Sequence, residues 1–148
     1  MGSIQIGGRN GDRTYLVVKN VSGAVITTGE GVSFFGAAGS IDGIGVSKLV
    51  AAGVHAFAGI ADQDMASNAF GRIVSGGVAD SVQISNVGTS ITITKGEILK
   101  PGAVAGTFFS SVVAQAASTL MFKYVVAMTT PVTISALGES YCKGLVKA

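Results

Sequence analysis

The chain of 148 residues contains one cysteine, one histidine, two prolines and no tryptophan. A single cysteine excludes an internal disulfide framework. One cysteine with one histidine cannot fill the four-ligand sphere of a structural zinc site. Charge is also scarce. Asp, Glu, Lys and Arg make up 12% of the residues, against about 25% in an ordinary soluble domain. The net charge of +2 is too small to mark a nucleic-acid-binding surface. Intrinsic disorder requires low hydrophobicity with high net charge, and here 48% of the residues are hydrophobic.

Glycine and small apolar residues are abundant, with 22 glycines and a mean hydropathy of +0.57. The length suits one compact domain. The longest uncharged stretch, from Pro101 to Phe122, carries Thr107, Ser110, Ser111, Gln115, Ser118 and Thr119. A spanning helix needs about 20 predominantly apolar residues, so no membrane association is expected. The first residues lack a basic segment followed by an apolar one, so no secretory signal is expected. A chain this apolar and weakly charged is expected to cover much of its surface with partner subunits, because interface cores are depleted in charge.

Periodicity reads mainly as strands. Val82–Ser85, Ile91–Thr94 and Val132–Ser135 alternate β-branched apolar with small polar residues, the pattern of a half-buried strand. Tyr15–Lys19, Ala24–Thr28 and Lys123–Met128 are apolar runs of strand length. Turn signals separate them at Asn20–Gly23, Gly29–Gly31, Ser75–Gly77, Asn86–Gly88 and Lys100–Gly102. Many short strands with glycine turns indicate a sandwich or barrel. Helix is the minor component: Val46–Gly53 has room for one or two turns, and Ala61–Phe70 reads as a helix or a polar loop. Ser110–Met121 leans to strand and loop. Residues 1–13, with Gly2, Gly7, Gly8 and Gly11, read as a flexible N-terminal arm, and 14–148 as a single β domain. Ile4 and Ile6 are candidates for strand pairing with a neighbouring subunit, and Arg9 and Arg13 are the arm's basic residues.

The chemical motifs are fragmentary. Asp62-Gln-Asp64 lacks the later glycine and glutamate of a calcium loop. Gly39–Lys48 has the glycine density of a phosphate cradle, but Leu49 stands where Ser or Thr would hold the metal. Ser140-Tyr-Cys-Lys143 has the spacing with which a lysine activates a serine on a helix, without the companion elements. His55 and Cys142 offer a nucleophile–base pair only if the fold joins them. Residues 1–94 carry five basic and six acidic side chains, and 95–148 five basic and two acidic. The lysines of the second part are scattered, without interleaved aromatics, so no nucleic-acid partner is expected. These residues nominate no catalytic, metal or cofactor-binding site.

Three segments carry a family resemblance: Phe57-Ala-Gly-Ile-Ala61, Ala69-Phe-Gly-Arg-Ile-Val-Ser-Gly-Gly-Val78, and Ile93-Thr-Lys-Gly-Glu-Ile-Leu-Lys-Pro-Gly-Ala-Val-Ala-Gly106. Their order of apolar strand, Gly-Val turn, and Lys-Gly-Glu before a Pro-Gly turn resembles the capsid decoration (cement) proteins of tailed bacteriophages. The resemblance implies an all-β fold: a small β-barrel, a β-tulip or a jelly-roll-like sandwich, with at most one or two short helices. It implies a homo-oligomer, with a trimer favoured over a dimer, bound to the major capsid protein on the outer surface of the virion and made in the host cytoplasm. It implies no enzyme activity and no cofactor. Alternatives are a tail or head–tail component and, in another class, a small β-barrel ligand-binding protein. Phe34-Phe35 and Phe108-Phe109 are adjacent aromatic pairs. Strand neighbours point to opposite faces, which makes Phe35 and Phe109 candidate subunit contacts.

Overall fold

The computed structural model describes residues 13–34, 44–50, 56–85, 91–101, 104–110, 124–128, 132–134 and 139–147. Its strands are β1 (Thr14–Asn20), β2 (Gly31–Phe34), β3 (Gly45–Lys48), β4 (Phe57–Ala61), β5 (Phe70–Ser85), β6 (Ile91–Ile93), β7 (Ile98–Pro101), β8 (Phe108–Ser110), β9 (Tyr124–Ala127), β10 (Val132–Ile134) and β11 (Glu139–Lys147). No helix occurs among the described residues. The all-β expectation holds. Strands β1-β3-β2-β4-β5 form a closed mixed barrel, sealed by the antiparallel pairing of β1 with β5. The β1–β3 pairing is parallel and the others are antiparallel.

Strand β5 is 16 residues long and outruns the barrel. Beyond it, β11, β9, β7 and β8 follow in order. Strand β8 returns to β5 through one parallel pair, Ile84 with Phe108. Beside that pair the Ser85 and Thr107 hydroxyls are hydrogen-bonded. Thr107 Oγ1 donates its one proton to the Val104 carbonyl at 2.7 Å, so Ser85 donates to Thr107. Strands β6 and β10, the segments of cleanest alternation, pair with each other as a separate ribbon.

Two cores result. Val18, Ile26, Val32, Val46, Ala58, Ala61, Met65 and Ile73 fill the barrel, and side chains of this size close the interior of a barrel with so few strands. On its outside, Phe57, Ile60 and Val74 meet Val82, Ile84, Leu99, Phe108, Val125, Cys142 and Val146 from the rest of the sheet. Phe57 and Phe108 pack edge to face, with centroids 5.8 Å apart and planes at 78°, a favoured aromatic geometry. Strand β4 lies between the cores and is buried along its whole length, which accounts for its uninterrupted apolar sequence.

Buried polar groups tie loops to this frame. The Asn20 Nδ2 donates to the carbonyls of Ala24 (2.6 Å), Met65 (2.9 Å) and Ala66 (3.2 Å). Its Oδ1 accepts from the Ser22 backbone N–H and hydroxyl. Buried Glu30 accepts from Lys48 Nζ at 2.9 Å and from the Thr27 N–H at 2.8 Å. These bonds matter because an unpaired buried polar group costs roughly 1–3 kcal/mol.

Three sequence expectations change, and one open alternative is decided. Val46–Gly53 is not a helix where it is described: residues to Lys48 form β3, whose pairing with β1 and β2 overrides local helix propensity. Ala24–Thr28 contributes only an isolated bridge, Ile26 with Met65. Of the two alternatives for Ala61–Phe70, helix or polar loop, the loop is found, running from the end of β4 to the start of β5. Ser75–Gly77 is not a turn, since β5 passes straight through it. There Gly77 takes a φ of +86°, which lets the strand change course without ending.

Close approach of β4 to β5 demands glycine at position 59. A Cβ there would collide with the Val74 carbonyl. At Gly76 a Cβ would meet only the Thr14 side chain, at 3.6 Å. Gly59→Ala is therefore expected to lower the unfolding free energy by about 1–3 kcal/mol, and Gly76→Ala to leave it nearly unchanged. Urea midpoints of the two variants check this; equal midpoints would contradict the β4–β5 packing.

Candidate functional site

Alternation along the sheet beyond the barrel separates an inner from an outer row. On the inside, Val146 pairs with Val125, and Val125 with Leu99; all three are buried. On the outside, Val78 of β5 pairs with Leu145 of β11, Leu145 with Val126 of β9, and Val126 with Ile98 of β7. Directly paired residues share a face. The result is an apolar row across four adjacent strands. Ile98 is 48% exposed, and the other three are partly exposed.

A second apolar area lies on the outer face of β1 and the start of β5. Val17, 66% exposed, and Phe70, 59% exposed, are its apolar members. Lys19 Nζ sits 5.9 Å from the Phe70 ring centre. The Arg72 guanidinium lies 4.4 Å from the Tyr15 ring centre and donates to Asp62 from both Nε and Nη2. The cation thus lies over an aromatic ring and gives two hydrogen bonds to one carboxylate oxygen, contacts that one guanidinium makes together.

A third feature is an open depression of about 360 Å³ lined by Thr27, Thr28, Asp64, Ser81 and Tyr141. Asp64 Oδ1 accepts from the Thr28 N–H at 2.7 Å and from the Thr28 hydroxyl at 2.9 Å. The backbone bond first, then the hydroxyl bond, holds the Asp64 carboxyl below its ordinary value, because both favour the ionised form.

The residues nominated from the sequence fall unevenly. Arg13 donates to Asp80 at 2.8 Å and to the Tyr15 hydroxyl at 3.5 Å. Ile4, Ile6, Arg9 and Phe35 lie outside the described residues. The backbone of Phe109 lies in β8, paired with Lys100, and its side chain is outside the described set. Phe108 is buried and Phe34 is 39% exposed. The motif residues are drawn into structure instead. Lys48 holds Glu30, Asp62 holds Arg72, and Asp64 caps Thr28. Ser140 and Lys143 lie on strand β11, without the helical geometry their spacing would need. Cys142 is buried, and His55 lies outside the described residues. No group of three or more potential metal ligands gathers among the described residues.

Sequence reasoning did not find the outer row, because its members come from four separate segments. It also did not find the pairing of Asp64 with Tyr141 across one depression. No protein-family model matches the chain, and no curated protein matches it.

Ionised Asp64 stabilises the fold at pH values above its ordinary pKa of 3.8. That contribution is lost as the pH falls through the lowered value of the folded state. The melting temperature of wild type minus that of Asp64→Asn is expected to stay constant above the ordinary carboxylate range and to shrink as the pH falls below it. Thermal melts across this range check it; a difference that persists unchanged in acid would contradict the assignment.

Proposed function

We propose that the chain is a structural virion subunit of a tailed bacteriophage, a decoration protein. It binds the major capsid protein on the outer surface of the shell as a homo-oligomer, a trimer rather than a dimer. The observation that carries this reading is the outer row of Val78, Leu145, Val126 and Ile98. Apolar residues in register on an outward sheet face are what a charge-poor subunit offers to neighbours. The nine-stranded sheet supports the same reading, since its ends pair back onto β5. Association then falls to faces more than to strand edges.

A stable contact buries upwards of about 1,000 Å², more than four side chains supply, so the row is the centre of a larger footprint. An oligomer that presents several such footprints to one shell gains by effective concentration and holds where a single contact would exchange. Sequence segments that resemble cement proteins include β4, most of β5 and β7. A tail or head–tail subunit would use the same surface. The ligand-binding alternative has its own observation, the depression at Tyr141.

The test mixes purified protein with shells of its phage that lack it. Wild type is expected to co-sediment and to raise the melting temperature of the shells. Ile98→Lys with Val126→Lys places two charges on the outer row and is expected to weaken attachment at least tenfold, the loss of about 1.4 kcal/mol, with the far-ultraviolet dichroism unchanged. Wild type left in the supernatant would overturn the decoration reading, and a double variant that binds like wild type would overturn the role of the row.

A further inference from the structure

We propose that the depression lined by Thr27, Thr28, Asp64, Ser81 and Tyr141 is a guanidinium site, which takes an arginine side chain of a partner protein. The argument starts from a filled example in the same fold. Arg72 lies over the Tyr15 ring while both its Nε and Nη2 reach Asp62. The depression offers the same two surfaces, a carboxylate and a phenol ring, around open space of about 360 Å³. Tyr141 is 54% exposed, so its ring is accessible for stacking.

The carboxylate is also oriented in advance. Both Thr28 donors converge on Asp64 Oδ1, which fixes the group and leaves its other oxygen without a bond from Thr28. The same two bonds keep Asp64 ionised, as a cation site needs. Thr27 and Ser81, which also line the depression, are residue types whose hydroxyls accept as well as donate. Arginine fits better than lysine. Its planar fork meets a carboxylate and a ring together, whereas an ammonium is a compact and strongly hydrated point charge. The described arginines are already committed, Arg13 to Asp80 and Arg72 to Asp62. The exposed carboxylate beside an exposed ring is complementary to an arginine presented by a partner protein. This goes beyond the decoration reading and does not depend on it, because the test uses no shell.

The probe is N-acetyl-arginine amide, titrated into the full chain and followed by the NMR signals of the Thr28 amide and the Tyr141 ring. Saturable shifts with a millimolar midpoint are expected, and N-acetyl-citrulline amide, the uncharged isostere, should bind at least about tenfold more weakly. Asp64→Asn is expected to abolish the response. Tyr141→Leu should weaken it about tenfold, while Tyr141→Phe should retain it. The Tyr141 variants keep the test decisive if Asp64→Asn disturbs the Thr28 loop. Equal binding of citrulline, no saturable response from wild type, or an undiminished response in Tyr141→Leu would overturn the proposal.

Discussion

Strand β5 takes part in two closed sets of pairings, and the rest of the fold follows from that constraint. Its first part closes the barrel against β1 and β4. Its second part pairs with β11 and receives β8. Successive side chains of the strand point to opposite faces and so enter different cores. Ile73 enters the barrel while Val74 meets the second core. Gly77, with φ at +86°, takes a backbone conformation open to glycine between the two roles while staying paired with Val146 of β11.

This closure settles where unburied apolar surface can go. With β4 flanked on both sides and the barrel filled, inward positions are taken by residues such as Ile60, Ile73 and Phe108. Apolar residues left over appear on outward faces, and Ile98, Val17 and Phe70 are among the most exposed of them. Buried polar residues serve the frame. Asn20 gathers carbonyls from two loops, and Glu30 with Lys48 fastens the turn before β2 to β3. A fold that commits its polar groups internally and leaves apolar rows outside is suited to assembly.

The architecture was legible in the sequence where local pattern and tertiary role agree. Tyr15–Lys19, Val82–Ser85 and Lys123–Met128 read as strands because alternation and β-branching mark them, and they lie in or largely form β1, β5 and β9. Val46–Lys48 misled because three residues carry no period, and pairing with two neighbours decided their state. Ser75–Gly77 misled because the glycines of a turn and of a strand bend look alike without the partners. The surface was less legible. Val78, Val126 and Leu145 each read as ordinary strand residues, and only the register of β5, β11 and β9 places them side by side. Asp64 and Tyr141 are likewise distant in sequence and joined only by the way the loop before Glu30 packs on β5.

The claim on which the functional account rests is that copies of this chain associate with one another. Sedimentation equilibrium of the isolated protein across a range of concentrations tests this most directly. The account predicts a species of a small whole multiple of 14.7 kDa that persists on dilution into the micromolar range. A single species at the mass of one chain throughout that range would contradict it.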